Sequence, residues 1–468
     1  MTGKEGFIAY TSDALIVAIF AEARDQPVPG HRKKRVCHMK TSLRGIVAIA
    51  AVLLCMSSLT PRTTAARAQT PARPFAGVHL TFSRWAGPQA DAMNALLPRF
   101  EKQTGIQVTM DAIAYENLHQ KQVLDLSGHT RNYDVLWAPE VWVPEYARAG
   151  WILPIGPYVK DPSLNTGDFN VNVKDFIPAI LKTSMYKGTL YGLPTFVQTP
   201  IVVYRKDLFA AAKLKPPTTW ADTLADARYF QKKGLGGIAM PAKRLADGVD
   251  VWAALMRSAG GDYFDGAGHP MVNSPAGVSA LQYWTDLIAA GPRGSLGWAW
   301  DDVNTNLLQG QVAMGITISG IASEFTTPSM TKLVGKFGFA PLPYKNHVSG
   351  TLADWNWTIN KDSKNPKAAY QLIAWLTSTS VEHQLGISQG SISARASLFS
   401  APDLVAHSPW LPAVLQALKN AKTQPLVPQS AQISEIMQRQ ISLASSGSAS
   451  PKDALDAANQ QIAQAVGR

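Results

Sequence analysis

Four places in this chain put tryptophan with a charged or amide side chain where the sequence suggests a turn: Arg84-Trp85, Trp137 with Glu140, Trp298 and Trp300 with Asp301, and Asp354-Trp355-Asn356-Trp357. An indole offers a flat apolar face, and a carboxylate, amide or guanidinium offers fixed hydrogen bonds. Those are the two demands of a sugar ring, whose C–H side is apolar and whose rim carries hydroxyls. The four groups fall at turns, not in regular apolar stripes, and turns after strands are where clefts form in α/β sheets. All 13 Trp lie beyond residue 68. At any single one of them the competing explanation is core filling. Trp298 and Trp300 flank Ala299, and Trp355 and Trp357 flank Asn356; in an extended segment side chains two residues apart share a face, opposite to that of the residue between them.

Signals for covalent or metal chemistry are weak. Gly386-Ile387-Ser388-Gln389-Gly390 has the spacing of a nucleophile elbow, but a helix-like stretch precedes it where a strand is needed to strain the serine outward. His383 lies nearby; the other histidines are scattered, and none has a metal-binding spacing. No phosphate-cradling loop is present, so the chain is not expected to hydrolyse ATP itself. Asn356-Trp357-Thr358 fits a glycosylation acceptor but reads better as a strand. The expectation is no catalytic residue, no metal and no cofactor.

The elements that must carry these residues alternate between strand and helix. Residues 78–82 alternate as a first strand, 90–104 places Met93, Leu96, Leu97 and Phe100 at helical spacing, and 106–110 is the next strand, which implies a parallel pair with a crossover helix. A helix near 115–126, a strand at 133–137 and a helix at 143–150 capped by Gly150 continue the pattern. In 190–209, LYGLPTFVQTPIVVYRKDLF, Pro194 and Pro200 remove backbone donors and keep their neighbours extended. Ile201 to Tyr204 then suits a buried strand, and KDLF opens a helix, so this stretch reads as a hinge crossing. Further on, Thr219 caps a helix beginning at Trp220. Residues 249–259 and 275–289 are amphipathic helices, LLQGQVAMGITI is a helix end, a turn and a buried strand, and 336–343 looks like a crossing back. A returning strand and helix follow at 352–378, and 381–467 is rich in helix. The class is α/β.

Residues 39–68 combine Lys40 and Arg44, an apolar run over 45–59 and a small-residue site at Ala66-Arg67-Ala68, the layout of a secretory signal peptide. That run is shorter than the roughly 20 residues a spanning helix needs. A lipid anchor on Cys55 is the alternative reading, and residues 1–38 look like an over-extended start. With 1–68 as leader and the mature chain starting near Gln69, both Cys37 and Cys55 are removed. Disulfides, thiolate metal sites and cysteine nucleophiles are then excluded, and 400 residues suffice for a core. The leader holds ten Lys/Arg against four Asp/Glu, which takes +6 of the +11 net charge. The remaining charge argues solubility and not nucleic-acid binding.

FEKQTGIQV, YDVLWAPEVWVPEYARAGWILPI, LPTFVQTPIVVYRKDLF, the Gly310-x-x-Ala313-Met314 strand and LADWNWTINKDSKNPKAAYQLIAWLTS, in this order, resemble the family 1 extracellular solute-binding proteins of the maltose-binding type. The resemblance runs from about residue 78 to the carboxyl end. It implies a two-lobe, periplasmic-binding-protein-like fold of type II, with lobe 1 formed by 77–196 plus 342–378 and lobe 2 by 200–338 plus 382–468. Crossings are implied near 196–200 and 339–341, with a third near 377–381. It further implies an exported component of an ABC importer that closes over a carbohydrate or polyol and delivers it to a membrane permease. Such a protein is periplasmic, monomeric and not an enzyme. The site residues implied are Trp85 in the first cleft loop, Trp137 and Glu140 as the Trp-Ala-x-acid text, and Gln198 where relatives carry an acid. Trp298 or Trp300, then Asp354, Trp355 and Asn356 with Trp357 in the core, and Arg395 in GSISARASLF complete the set. Three departures stand out: Arg205 where the family places Asn or Asp, Glu140 where it places Asp, and Ile321-Ala322 where it places Trp. The last two argue against maltodextrin. A solute of another class remains open: an aromatic box would suit a quaternary amine and a Lys/Arg cluster a glycerol phosphate ester. An exported hydrolase built on Ser388 is the third choice.

Overall fold

The structure, a computed structural model, describes residues 73–467 except Pro428. The leader, the mature start near Gln69 and the alternative lipid site at Cys55 lie outside the described residues. Eleven strands follow in chain order: β1 (His79–Trp85), β2 (Gln107–Ile113), β3 (Val135–Pro139), β4 (Met185–Tyr186), β5 (Thr189–Leu190), β6 (Gly192–Gln198), β7 (Pro200–Arg205), β8 (Gly236–Ala239), β9 (Val312–Ile318), β10 (Phe337–Pro341) and β11 (Ala353–Ile359). They form a five-stranded sheet in the order β2-β1-β3-β11-β6, a four-stranded sheet in the order β10-β7-β9-β8, and the small β4-β5 hairpin. In the first sheet β1 runs parallel to β2 and β3, whereas β11 lies antiparallel to both β3 and β6. In the second, only β8 and β9 are parallel. The α/β class expected from the alternation is the class observed.

Local chemistry explains the elements. Helix Pro88–Thr104 starts with proline at its first position and ends at Gly105, whose φ of 76° lets its N–H reach the Glu101 carbonyl. Its buried face is Ala90, Met93, Leu97 and Phe100, the spacing seen in the sequence. Thr219 caps helix Trp220–Lys232 by accepting the Asp222 N–H, and Gly150, at φ 70°, closes helix Val143–Ala149. β9 is buried along its whole length and β7 nearly so, as expected of strands covered on both faces.

The chain passes from the first sheet to the second at Thr199, between β6 and β7. Pro200, which has no N–H to give, opens β7, a position a sheet tolerates. Thr199 and Ser319 pin the crossing: the Thr199 N–H donates to Ser319 Oγ at 3.1 Å and the Ser319 N–H to the Thr199 carbonyl at 3.0 Å. The chain returns between β10 and β11. Arg205, where the family places Asn or Asp, is buried and gripped bidentately by Asp207, with Nε and Nη2 donating at 2.8 and 2.7 Å.

Two expectations about the carboxyl-terminal part give way. Thr377 and Ser378 do not form a third crossing; they join helices Pro366–Leu376 and Thr379–Gln389, and Val381 and Leu385 bury the second of these in the same cluster as the first sheet. Helix Thr379–Gln389 packs on helix Pro88–Thr104, and only at helix Leu411–Leu418 does the chain reach β7 and β10. The tail 382–468 is therefore divided and does not belong wholly to the second lobe. Helices Ser430–Ser445 and Pro451–Ala465 pack on helices Ala246–Ser258 and Pro275–Ala289 through Ile433, Met437, Leu455 and Ile462. Helical periodicity shows that each segment has an apolar face; it does not say which sheet that face meets.

Close packing around β8 depends on glycines, Gly237 most tightly. A Cβ on Gly237 would lie 2.2 Å from the Ala227 carbonyl oxygen and 2.5 Å from that of Ala290. Both are backbone atoms of helix or helix end, so neither can swing aside. Gly237→Ala is expected to lower the unfolding free energy by about 2 kcal/mol, read as a reduced urea midpoint; an unchanged midpoint would show that the two helices yield freely.

Candidate functional site

One edge of the first sheet gathers most of the residues singled out in the sequence. β1 and β3 are parallel, so their carboxyl-terminal ends, Arg84-Trp85 and Trp137-Ala138-Pro139, lie side by side, with Glu140 immediately after β3. β11 runs the other way, so its beginning reaches that same edge, with Trp355 opposite Pro139. β6 ends there as well, with Gln198 opposite Ala353.

The indoles form one cluster. Trp137 and Trp355 stack with ring centroids 5.3 Å apart and planes 14° from parallel. Trp85 stands nearly perpendicular to both, at 5.4 and 5.7 Å. Phe196 of β6 lies 5.1 Å from Trp355, and Tyr115 lies 5.8 Å from Trp85 and stacks on Trp142. The Arg84 guanidinium sits over the Trp137 ring at 4.7 Å. Its Nη atoms donate to the Trp85 carbonyl and to Gln89 Oε1, and burial lowers its pKa to about 10.

The pleat divides the Asp354-Trp355-Asn356-Trp357 run. Trp355 joins Trp85 and Trp137, while Trp357 is wholly buried against Phe82 at 5.5 Å, the core position expected of it. Asp354 and Asn356 point to the other face. Asp354 Oδ2 accepts from Thr183 Oγ1 at 2.8 Å and from Asn356 Nδ2 at 3.0 Å, and Asn356 Oδ1 accepts from Ser184. Asn356 is thus fully buried with both amide ends engaged, and the structure does not bring it to a free surface. Glu140 Oε2 accepts the Asp354 N–H at 3.2 Å, and the Glu140 N–H donates to the Asp354 carbonyl at 3.0 Å.

Three further placements differ from a single site. Arg395 is a structural brace elsewhere: Nε donates to the Thr377 carbonyl at 2.6 Å, Nη1 reaches Asp175 at 3.2 Å, and the guanidinium lies 4.3 Å from the Phe176 ring. With those donors engaged internally and 1% of its surface exposed, it does not join the aromatic edge. Trp298 and Trp300 are split. The first, half-buried, packs on the cluster that holds Trp85, and the second opens helix Trp300–Leu308 and packs on the other cluster. Gln198 lies at the crossing against Gly320, where a Cβ would come within 2.4 Å of its Oε1. Ser388 sits in the last turn of helix Thr379–Gln389 with no strand before it, so it has no elbow.

Sequence reading missed Asp250 and Tyr115. Asp250 is on helix Ala246–Ser258 of the second body, where its carboxylate accepts Gln424 Nε2 at 2.6 Å and its carbonyl accepts Thr351 Oγ1 at 2.6 Å. Burial, then the neighbouring Asp247, push its pKa up to about 7. Burial first, then Asp354 and also Asp250, push Glu140 well above the usual carboxylate range, and burial raises Asp354 to about 7. Tyr115, 49% exposed, is raised to about 12 by desolvation and then by Glu140 and Asp250. An acid from each body and one aromatic rim residue therefore share a field. The signal available in the sequence was an aspartate pair, Asp247 and Asp250, interrupting an otherwise apolar helix.

Four buried polar atoms at this edge have no hydrogen-bond partner: Arg84 Nε, Trp137 Nε1, Trp355 Nε1 and Asp354 Oδ1. Other unpartnered indole nitrogens lie in the core, at Trp357, Trp375 and Trp410. At this end of the sheet the three donors are Arg84 Nε, Trp137 Nε1 and Trp355 Nε1, while the acceptor, Asp354 Oδ1, lies on the opposite face of β11 from Trp355. Among the described residues no group of His, Cys, Asp or Glu is placed to hold a metal ion. Two surface depressions lie elsewhere, one of 620 Å³ lined by Thr81, Asp111, Lys121 and Tyr133 and one of 380 Å³ lined by Arg244, Glu435 and Arg439.

The raised acids impose a pH dependence. A carboxyl whose folded pKa is raised contributes stability that is present below its unfolded value, near 4, and lost as pH climbs through the folded value. For Asp250 that window ends near 7. Asp250→Asn should therefore match the wild type in Tm at pH 4.5 and exceed it at pH 8, by about 2 °C or more. A gap that stays constant between the two pH values would contradict the assignment.

A family model for bacterial extracellular solute-binding proteins matches residues 86–382. A probable amino-acid ABC transporter periplasmic-binding protein of Sinorhizobium fredii is 28% identical over 380 residues, 79% of this chain and 85% of its own. The mannitol-binding protein of Pseudomonas aeruginosa is 25% identical over 314 residues, 64% and 70% of the two chains. The crystal structure of an ABC transporter solute-binding protein from Agrobacterium radiobacter in complex with ribitol superposes with a TM-score of 0.72 at 28% identity, covering 84% of this chain and 99% of that one. The expected two-lobe architecture is the one these structures share. The two sheets joined at Thr199, the cluster of indoles at one sheet edge and the match over 86–382 lead to one conclusion: this chain belongs to the bacterial extracellular solute-binding proteins.

Proposed function

We propose that the chain is the substrate-binding component of an ABC importer, taking a carbohydrate or polyol at the edge carrying Trp85, Trp137 and Trp355 and handing it to a membrane permease. The observation that carries this reading is the group of three unpartnered buried donors at the stacked indoles. Buried polar groups are rarely left without partners. A ligand with an apolar C–H side and several hydroxyls would meet the ring of Trp85, which is only partly buried, and bring hydrogen-bond partners to this end of the sheet. Tyr115, Glu140 and Gln198 belong to the same reading, with Asp250 and Trp298 contributed by the other lobe.

Lobe closure follows from ligand contacts made on both sides of the cleft, because a ligand shifts an open–closed balance only by its differential affinity. The family places the protein outside the cytoplasm. The periplasm and a signal peptide at 1–68 are the finer reading, with Cys55 lipidation as its alternative. Among the described residues no helix is long and apolar enough to cross a membrane. In this reading the transport path and the ATPase are supplied by other chains. The protein acts as a monomer, without cofactor and without catalysis. The polyol-binding relative from Pseudomonas aeruginosa and the ribitol complex favour an acyclic polyol over a maltodextrin.

Two measurements test this. Titration with ribitol, mannitol, maltose and monosaccharides should change Trp emission for at least one ligand, and Trp85→Ala should weaken that ligand about tenfold, or about 1.4 kcal/mol; no response across the panel would refute the reading. Arg395→Met, by contrast, should cost about 3 kcal/mol in denaturant unfolding, because it strands buried acids. It should leave the affinity within about twofold. A large affinity loss in folded Arg395→Met would return that residue to the site.

A further inference from the structure

Resting on the solute-binding reading above, we infer that the solute has two units, a glycosylated polyol or a disaccharide, and that its second ring lies past Trp85 on an aromatic ledge of Tyr115, Trp142 and His119 bordered by Glu145. Strand order puts the ledge there. β2, β1 and β3 are parallel neighbours in that order, so the turns that follow them open at one end of the sheet. Trp85 ends β1, Tyr115 starts the helix that follows β2, and Trp142 stands in the turn that follows β3. His119 comes one turn after Tyr115 and so shares its side of helix Tyr115–Gly128. The rings then touch in series. Tyr115 lies 5.8 Å from Trp85 and 6.3 Å from Trp142, nearly parallel to the latter at 20°, and His119 lies 4.5 Å from Trp142.

Exposure is the second argument. Trp137 and Trp355, which make the inner stack, are 0% and 4% exposed, so neither offers a free face. The open aromatic surface at this end of the sheet belongs to half-exposed Tyr115, to partly buried Trp85 and Trp142, and to His119, whose side chain is 40% exposed. An uncovered aromatic patch that continues a binding edge marks a place where more of the ligand can sit. What borders the rings sets its chemistry. His119 Nε2 and Glu145 Oε2 meet at 3.0 Å with 36% of the Glu145 side chain exposed, so the ledge ends in a polar pair that keeps acceptor capacity for hydroxyls. Flat rings bordered by a carboxylate and an imidazole meet the demands of a sugar ring, an apolar C–H side and a hydroxyl rim. A protein partner would need a broader apolar face than this one. Leu124, also exposed on helix Tyr115–Gly128, lines the separate depression at Thr81 and Asp111 and does not extend the ledge.

Matched ligands decide the matter: maltitol and lactitol against glucitol, and maltose and cellobiose against glucose, titrated calorimetrically. The two-unit member of at least one pair should bind about tenfold tighter than its one-unit counterpart. Trp142→Ala should remove that gain while leaving the one-unit ligand within about twofold, and Trp142→Phe should restore most of it. His119→Ala, at an exposed position, serves as the second variant should Trp142→Ala not fold, and should cut the gain about threefold. Equal affinities within every pair, a gain retained by each variant that folds, or a loss in Trp142→Ala that is the same for one-unit and two-unit ligands would overturn this inference and leave the sugar or polyol function standing. No binding by any ligand of either set would overturn both.

Discussion

The structure turns on strand direction at one edge of the first sheet. Parallel β1 and β3 deliver Arg84, Trp85, Trp137 and Glu140 to that edge, and antiparallel β11 delivers Asp354 and Trp355 to meet them. The Trp137–Trp355 stack is the contact that results. Slipping β11 by one residue would turn Asp354 and Asn356 to the face where Trp355 and Trp357 now stand, because side chains alternate with a period of two. The aromatic platform, the pairing of Glu140 with the Asp354 backbone and the orphaned atoms beside them all depend on that register.

Burial then sets the electrostatics. Withdrawing Glu140, Asp354 and Asp250 from water keeps all three above the normal carboxylate range. Burying such groups costs stability, which the packing around them offsets. This is the usual relation between a strained, polar binding site and the well-packed body that supports it. The supporting body is visible here in the Thr199–Ser319 pins at the crossing and in the Arg395 brace, which ties 172–176 to the segment after helix Thr379–Gln389.

The division of the tail serves the same architecture. Residues 391–395 lie along β6, with the Ala394 N–H donating to the Thr195 carbonyl and the Val197 N–H to that of Ile392. Helix Leu411–Leu418 crosses to β7 and β10, and the last two helices close the second core. One stretch of chain therefore touches both bodies and the strand that leads into the hinge, so it constrains how far they can separate.

Much of this was legible in the sequence. The strand and helix alternation, the caps at Thr219 and Gly150 and the extended crossing around Pro200 are dictated by local backbone chemistry, which a few neighbouring residues decide. Residue type alone picked out Trp85, Trp137 and Trp355, but Trp137 and Trp355 lie within β3 and β11 and not at the turns the sequence suggested. What only the tertiary structure decided was partnership. Asp354 and Asn356 share a face with Thr183 and Ser184, Arg395 spends its donors on Asp175 and Thr377, Trp298 and Trp300 part company, and Asp250 arrives from a helix about 110 residues from Glu140 in sequence. Each of these outcomes is set by long-range strand pairing and by which core an amphipathic face finds, and neither is encoded within the window of residues that periodicity can read.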